Sequence, residues 1–224
     1  MRSYSVPALG KALDILEFLA RAPDPMTLSA IAVALNRSTG EIFRVLRTLE
    51  ERGYLSREAG DGYVLTNRLF EHGLRRPSTA ALLEIAYPEM RALVLAIDQS
   101  CHVSVPSGGR MVTVARVEGR GEASFTVPIG FSAPIDQSAS GRVYLALLPD
   151  AERRRHFAAL PARRRSALRA ALAEIERRGF EVAPSPRFVG ITDISVPLFD
   201  ADGLPAACLA APVAARRGAE MRLD

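Results

Sequence analysis

"NRSTGEIFRVLRTLEERGYL", residues 36–55, is the stretch that decides how the first part of the chain folds. Ser38 and Glu41 have the S-x-x-E spacing of a capping box, in which each side chain accepts a hydrogen bond from the other residue's backbone N–H at a helix start. Gly53 suits the position just after the helix, because glycine tolerates a positive φ there. The stretch therefore predicts a helix whose buried face is formed by Ile42, Val45, Leu46 and Leu49.

The flanking residues predict two earlier helices and a later hairpin. An apolar stripe formed by Leu9, Ala12, Leu13, Leu16 and Ala20 predicts a first helix that ends before Pro23. Thr27 is a suitable N-cap for a short second helix whose inward face is formed by Leu28, Ile31, Ala32 and Leu35. Residues 54–58 and 63–66 alternate around a Gly-Asp-Gly turn and predict a β-hairpin. Three helices followed by a hairpin indicate a winged helix-turn-helix, in which the third helix enters the DNA major groove.

The outer face of the third helix carries side chains that suit DNA. Arg44 and Arg47 can bind phosphates or form paired hydrogen bonds with guanine, and Phe43 can contact a thymine methyl group. An arginine-rich helix face is more often a solvated surface, so the prediction depends on the second helix and the hairpin lying around it. Glu41 has its capping role, while Glu50 and Glu51 lie near the far end of the helix. The predicted DNA-binding residues are Arg37, Ser38, Thr39, Gly40, Phe43, Arg44, Arg47 and Thr48.

Composition limits the class of protein without identifying a partner. The chain has 224 residues, enough for two average domains, and a formal net charge of +4. Residues 1–76 contain 11 basic and 9 acidic side chains, so DNA binding depends on where the arginines point. Cys101 and Cys208 lie far apart in the sequence, and the apolar runs are shorter than the ~20 residues that a membrane span needs. We therefore expect a cytoplasmic protein with reduced thiols and no membrane segment.

The second part of the chain predicts an α+β domain behind a helical connector. Residues 79–98 form the connector, with Leu82, Ile85, Ala86, Leu93 and Ile97 facing inward and Pro88 breaking or restarting the helix. Strands are expected at "CHVSV", "MVTVARV", "SFTVPIG", "GITDISVPLF" and "PAACLAA", with a hairpin turn at 200–203. Helices are expected from Ser138 and twice across 150–178. This order predicts a sheet with helices packed on it.

The sequence does not predict catalysis. Cys101 and His102 are neighbours on a strand, so their side chains point to opposite faces and cannot act as a thiol–imidazole pair. The three histidines, His72, His102 and His156, share no metal-ligand spacing, and the common catalytic sequence motifs do not occur. We expect no enzyme activity, no metal site and no cofactor.

The chain resembles the IclR family of bacterial transcriptional regulators over nearly its whole length. The resemblance lies in the order and spacing of "VPALGKALDILEFLA", "LSAIAVALNRSTGEIFRVLRTLEERGYL", "GYVLTNRLFEHG", "ARVEG", "SASGRVYLALL", "ERRGFEV" and "GITDISVPLFD". It implies an α+β protein in which an N-terminal winged helix-turn-helix is joined by a linker helix to a GAF-like α/β effector-binding domain. The implied boundaries are 1–76 for the DNA-binding domain, 77–98 for the linker helix and the start of the sensor domain, and 99–224 for the effector-binding domain.

The resemblance also implies an effector site. A helix start such as "QSASGR" offers free N–H groups to an anionic or accepting ligand atom, although a plain N-cap has the same appearance. In IclR proteins the matching helix start, Ser138–Gly141 here, donates to the effector, and the strand matching residues 190–196 forms the opposite wall. The predicted effector-binding residues are Ser138, Ala139, Ser140, Gly141, Ile191, Asp193, Ser195, Cys208 and Ala210.

Several positions depart from the IclR pattern in ways that change the expected ligand. The frequent pocket cysteine becomes Asp193, the usual acidic residue becomes Ala183, and two serines become Ala210 and Pro212. These changes disfavour a small acid such as glyoxylate or pyruvate. A buried Asp193 needs a partner, which can be a hydroxyl or amine of the ligand or an internal arginine, either Arg116 or Arg142. The remaining apolar lining suits an aromatic or branched organic effector.

These observations predict a sequence-specific DNA-binding regulator whose operator binding is modulated by a small molecule. The resemblance implies a homodimer or a tetramer on a double-stranded palindromic operator, with the first helix supporting dimerisation. Family members usually continue through a further C-terminal helix, whereas "AARRGAEMRLD" ends at its beginning, so we expect a less covered sheet. Two alternatives stay open: a small-molecule enzyme with a GAF-like cup, and a protein–protein interaction module that uses the arginine face.

Overall fold

The computed structural model describes residues 6–58, 60–121, 124–158 and 160–214 and divides into two compact units between Ala81 and Leu82. The first unit contains the helices α1 (Pro7–Leu19), α2 (Leu28–Ala34), α3 (Thr39–Glu51) and α4 (Arg68–Leu74), and the strands β1 (Leu55–Glu58) and β2 (Gly62–Leu65). Helix α5 (Pro77–Ile97) runs across the boundary between the units. The predicted order of three helices and a hairpin is confirmed.

Local hydrogen bonds set the ends of α3 as the sequence predicts. The Ser38 hydroxyl accepts from the Glu41 backbone N–H at 3.3 Å, and the Glu41 carboxylate accepts from the Ser38 N–H at 3.2 Å. Gly53, just past the helix, has a φ of 74°. The buried face consists of Ile42, Leu46 and Leu49, with Val45 packed at its edge. The capping box and the apolar stripe together determine where α3 begins and which side faces inward.

The hairpin is fixed to the helices by the chain between α1 and α2. Met26 and Tyr63 exchange backbone hydrogen bonds of 3.1 and 2.8 Å, and Tyr63 is buried in the core beneath α3. A Cβ atom at position 62 would lie 2.5 Å from Cβ of Pro25, which explains the glycine there. The wing is therefore held to the helices by backbone pairing of β2 with Met26.

The predicted buried face of α1 is only partly right. Leu9 and Leu13 are 58% and 49% exposed, whereas Ile15 and Leu19 lie in the core. The helix has apolar residues around most of its circumference, so two overlapping stripes satisfy the same helical spacing. Packing against α3 centres the buried face on Ile15 and Leu19, with Ala12 and Leu16 at its edge. Leu9, Leu13 and Ala20 lie outside it and are exposed.

The second unit is a six-stranded antiparallel sheet with helices on both faces. Its strands are β3 (Cys101–Ser107), β4 (Arg110–Val117), β5 (Ser132–Pro134), β6 (Glu181–Pro184), β7 (Ile191–Phe199) and β8 (Pro205–Ala214), in the spatial order β5-β4-β3-β8-β7-β6. Its helices are a short 3-10 turn (Ile135–Gln137), α6 (Ala139–Leu147), α7 (Asp150–Ala158) and α8 (Ala162–Arg178). This arrangement confirms the predicted α+β class.

Because successive side chains of a strand point to opposite faces, the two faces of the sheet belong to two different hydrophobic cores. Cys101, Val103 and Ala115 pack against Ala86, Met90 and Val94 of α5 on one face. Met111 and Cys208 pack on the other face, beneath apolar residues of α6 and α8. The predicted turn at 200–203 is also present, because the Asp200 carboxylate accepts from the N–H groups of Asp202 and Leu204.

Four expectations about this unit need correction or lie outside the described residues. Ile85 and Ile97, predicted to face inward, are 72% and 41% exposed. Pro88 lies inside a continuous α5 and neither breaks nor restarts it. The stretch 124–130 is not a strand; short strands form instead at β5 and β6, where neighbouring strands supply the hydrogen bonds. The expectation about the chain end falls on residues 215–224, outside the described residues.

Gly141 offers a test of how closely α6 packs. A Cβ atom there would lie 2.0 Å from the carbonyl oxygen of Ile135, a backbone atom that cannot swing aside. We expect Gly141→Ala to lower the free energy of unfolding by about 1–3 kcal/mol, measured by urea denaturation. Gly10→Ala is the control, because nothing lies within 4 Å of that helical position and alanine favours a helix by up to ~1 kcal/mol. Equal effects at both positions would contradict the packing argument.

Candidate nucleic-acid interface and ligand cavity

The outer face of α3 is open to solvent. All eight predicted DNA-binding residues are exposed, namely Arg37, Ser38, Thr39, Gly40, Phe43, Arg44, Arg47 and Thr48. Phe43 is 43% exposed although it is apolar. Within the described residues, Arg44 has no carboxylate within salt-bridge distance, so its guanidinium group is available to an external anion.

The acidic side chains of α3 are each paired with a basic residue. Glu41 bonds to Lys11 at 2.8 Å, Glu50 to Arg57 at 3.2 Å, and Glu51 to Arg47 at 2.9 Å. Lys11 is the single lysine of the chain and comes from α1, thirty residues from its partner. These pairs offset the three negative charges that would otherwise oppose a polyanion at this face.

The arginine pairs on this surface differ in how firmly they are held. Arg47 and Glu51 are both largely exposed, and Arg37 lies 3.5 Å from Asp14, so these surface pairs cost little to break. Arg57 on the wing is fixed instead. It donates to the Tyr63 hydroxyl at 2.7 Å and stacks over the Tyr63 ring at 4.9 Å. Arg57 thus joins the wing to α3 and is not a free phosphate ligand.

The second unit contains a cavity of about 150 Å³ between the sheet, the start of α6 and two loops. Its floor comes from the sheet and its mouth from the loops at 124–131 and 185–190. Most of the lining is apolar, and three phenylalanines contribute to it. The lining residues are His102, Ser104, Met111, Thr113, Phe125, Thr126, Val127, Pro128, Phe131, Ala133, Gln137, Ser138, Ala139, Ser140, Ser185, Pro186, Arg187, Phe188, Asp193 and Ala210.

Five of the nine predicted effector-binding residues lie on the cavity wall, and four do not. Those on the wall are Ser138, Ala139, Ser140, Asp193 and Ala210. Those away from it are Gly141, Ile191, Ser195 and Cys208. Gly141 faces the backbone of Ile135, and Ile191 begins β7 opposite Ala214. The family resemblance implied both positions, but it does not show which side of each element faces the cavity in this chain.

Ser195 and Cys208 lie beneath the wall and support it. The Ser195 hydroxyl is completely buried and donates to the Ser140 hydroxyl at 3.4 Å. The Cys208 thiol donates to the Ser140 carbonyl at 3.1 Å. The Ser138 hydroxyl caps α6 by accepting from the Gly141 N–H at 3.1 Å. The start of α6 is therefore held in place from the sheet side.

Neither of the arginines that the sequence offered pairs with Asp193 in the structure. Arg116 pairs with Glu118 at 2.8 Å, and Arg142 pairs with Glu181 at 2.7 Å. Burial raises the pKa of Asp193 above its ordinary value, and the side chain of Ser185 and the charge of Arg142 oppose that rise. Ala183 on β6 lies directly opposite Asp193 on β7. The acidic side chain therefore lies on β7, next to the strand on which the IclR pattern has its usual acidic residue.

His102 is one of the cavity residues that the sequence did not indicate. It was treated as half of an excluded thiol–imidazole pair, and the structure confirms that Cys101 faces the α5 side. The same alternation places His102 on the cavity side, which was the available signal. Burial lowers the pKa of His102 to about 4, so the imidazole is neutral at pH 7.

The thiols do not behave as nucleophiles in this environment. Burial raises the pKa of Cys101 to about 11 and that of Cys208 to about 12, so both are protonated at neutral pH. In the part of the chain that the structure describes, no group of three or more His, Cys, Asp or Glu side chains could hold a metal ion. No helix of that part is long and apolar enough to cross a bilayer.

Both units match domains of a known protein family. Residues 8–59 match the IclR helix-turn-helix domain, and residues 77–224 match the bacterial transcriptional regulator IclR C-terminal domain. The chain belongs to the IclR family of bacterial transcriptional regulators. An IclR-family regulator combines a DNA-binding helix-turn-helix with a C-terminal effector-binding domain, and these are the two units described above.

Individual relatives extend over most of the chain. The probable transcriptional regulator SauR of Cupriavidus necator is 30% identical over 207 residues, covering 88% of this chain and 82% of the relative. The Thermotoga maritima IclR structure has a TM-score of 0.69 at 26% identity and covers 94% of this chain and 89% of its own. An IclR homologue from Microbacterium hydrocarbonoxydans, complexed with 4-hydroxybenzoate, has a TM-score of 0.78 at 23% identity and covers 92% and 89%.

The pairing of Lys11 with Glu41 predicts a measurable pKa change. Hydrogen bonds from Lys11 and Ser38 lower the pKa of Glu41 to about 2 from an ordinary value of 4.5. Because the folded pKa is depressed, the stabilisation is present above pH 4.5 and is lost as the pH falls toward 2. We expect Lys11→Met to raise the Glu41 pKa toward its ordinary value in an NMR pH titration. Arg21→Met, at an exposed arginine near the end of α1, should leave it unchanged.

Proposed function

We propose that this IclR-family regulator binds a two-fold symmetric operator through the outer face of α3 and responds to an organic effector held in the cavity of its second unit. The observation that carries the proposal is the exposed Arg44 on a helix whose carboxylates are all paired. Because this regulator would act on DNA, we also propose that it works in the bacterial cytoplasm.

The interface with DNA follows from the direction of the α3 side chains. Arg44 is free to bind phosphate or guanine, and Arg47 can leave its exposed pair with Glu51 to do the same. Thr39 and Gly40 occupy the first turn, where unpaired N–H groups suit a phosphate oxygen. Phe43 supplies an apolar contact for a thymine methyl group.

A homodimer would supply a second copy of α3 for the second half-site of the operator. One recognition helix reads only a few base pairs, so useful selectivity needs two copies. Val6, Leu9 and Leu13 form an exposed apolar strip along α1, with exposures of 61%, 58% and 49%. A second copy of α1 would cover this strip. We propose a homodimer through α1, with a tetramer of two dimers as the larger assembly.

The effector acts by binding two states of the regulator with different affinity. A ligand that bound both states equally would change nothing, whatever its affinity. The cavity offers an apolar interior with a few polar groups, the arrangement typical of small-molecule sites. A homologue of the same fold holds 4-hydroxybenzoate, which supports a single-ring aromatic compound as the class to screen first.

The decisive experiment joins a ligand screen to a DNA-binding assay. Aromatic acids, hydroxy acids and amines are screened by thermal shift, and each hit is added to a gel shift with the DNA upstream of the protein's own gene. A compound that raises the melting temperature and also changes the affinity for that DNA supports the proposal. A compound that is chemically converted by the protein would support the enzyme alternative instead.

Arg44→Ala tests the DNA interface. We expect its operator affinity to fall by roughly tenfold or more and the slope of log K against log salt to decrease by about 0.9, because one phosphate or base contact is lost. Arg21→Ala is the matched control, since it also removes one exposed arginine, near the end of α1. Effector binding, measured by thermal shift, should be unchanged in both variants. Equal operator affinity for Arg44→Ala and the wild type would refute the role of Arg44.

The salt dependence also separates DNA binding from a protein-interaction module. Binding through several phosphates weakens steeply between low and physiological salt, because condensed counterions are released. A wild-type complex that is insensitive to salt would favour the module.

Asp193→Asn tests the cavity wall. Asp193 presents a carboxylate whose charge opposes an acidic ligand and attracts an amine, so its removal should shift the relative affinities of benzoate and benzylamine toward benzoate by roughly tenfold. Asp202→Asn at the exposed β7–β8 turn is the control for the loss of one charge. If the wild type and Asp193→Asn show equal thermal shifts with benzoate and with benzylamine, Asp193 is not part of the ligand site.

A further inference from the structure

His102 has hydrogen-bonding capacity that the fold leaves unused. Its Nδ1 atom is buried and has no hydrogen-bond partner within the described residues. A buried N–H without an acceptor is rare in native proteins, so the unpartnered Nδ1 bears on which ring nitrogen carries the hydrogen. His102 also lies on the cavity wall, which leaves its other ring nitrogen, Nε2, as the atom that can bond to a ligand.

Several other polar side chains of the wall already make hydrogen bonds within the protein. Ser104 and Thr113 bond to each other at 3.3 Å. Ser138 caps α6, and Ser140 accepts from the buried Ser195. His102 makes no hydrogen bond through its ring within the described residues, so it can distinguish ligands by a new one.

The neutral ring determines what His102 can offer. A hydrogen on Nδ1 would be a buried N–H without an acceptor, which is rarer in proteins than an unsatisfied acceptor. The favoured tautomer carries its hydrogen on Nε2, and no described residue accepts from Nε2. A neutral Nε2–H donates to an oxygen atom of the ligand without requiring that oxygen to be charged.

The surrounding wall determines the shape of the ligand. A volume of about 150 Å³ accommodates one benzene ring. Met111, Phe125 and Phe131 line it with apolar surface, and Phe125 packs against Phe188 at the mouth with 4.7 Å between ring centroids. A single aromatic ring fits this volume and this chemistry.

We propose that His102 selects the effector by donating a hydrogen bond from Nε2 to an oxygen atom attached to a single aromatic ring. The inference rests on the proposed effector function of the cavity. It makes His102 a specificity-determining residue that prefers a hydroxylated ring to the same ring with a methyl group, since the two groups are similar in size and the methyl group cannot accept.

The test compares matched hydroxyl and methyl ligands. Phenol is compared with toluene, and 4-hydroxybenzoate with 4-methylbenzoate, by calorimetric titration of the full-length protein. We expect the wild type to prefer the hydroxyl member of a pair by roughly five- to tenfold, the usual effect of one hydrogen bond. His102→Leu should abolish that preference.

Two further variants separate hydrogen bonding from folding. His102→Gln places an amide donor near the position of Nε2 and should keep the hydroxyl preference, whereas His102→Asn is too short and should lose it. His156→Leu, on α7 and away from the cavity lining, should behave as the wild type. If His102→Leu does not fold, the comparison of the Gln and Asn variants decides.

The outcomes distinguish this inference from the function on which it rests. Equal hydroxyl preference in the wild type and His102→Leu, or a wild-type preference for the methyl ligands, overturns the role of His102. If a bound ring still changes operator affinity in that case, the cavity remains an effector site. If no compound of any class binds, the effector function of the cavity fails together with the inference.

Discussion

Burial of one face of α3 is the constraint that decides which of its side chains face solvent. Ile42, Leu46 and Leu49 are buried in the core of the first unit, each contributing roughly 1.5–3 kcal/mol through removal of its side chain from water. A rotation of the helix that turned Arg44 inward would expose these three side chains and bury a charge. The hydrophobic core therefore fixes the direction of the arginines more firmly than any polar contact on the surface does.

Charge pairing then decides whether that exposed face can meet DNA. The outer surface of a helix with three glutamates would repel a polyanion if they were left unpaired. Lys11 and Arg57 come from α1 and the wing, so the elements that build the fold also neutralise the glutamates of α3. The Arg57–Glu50 pair also joins the wing to α3, which links the packing of the unit to the electrostatics of its surface.

In the second unit, side chains that alternate along each strand give the two faces of the sheet different surroundings. One face of the sheet packs against α5 and contains Cys101, while the other is covered by α6 and α8 except where the cavity opens. Ser195 and Cys208 hold the start of α6 from below, and this leaves Ser138, Ser140 and Asp193 on the wall. His102 and Asp193 are separated by strand β8, so they present different chemistry at different places in the cavity.

Sequence by itself determined the elements whose causes are local. The Ser38–Glu41 capping box, the Thr27 and Ser138 caps, the apolar face of α3 and the hairpin all follow from residues within one or two turns of each other. Tertiary structure decided the rest: the exposure of Leu9 and Leu13, the Lys11–Glu41 pair, the pairing of Arg142 with Glu181 and the place of His102 on the cavity wall. Each of these depends on an element distant in sequence, and helical or strand spacing does not encode which of two acceptable faces a distant partner will cover.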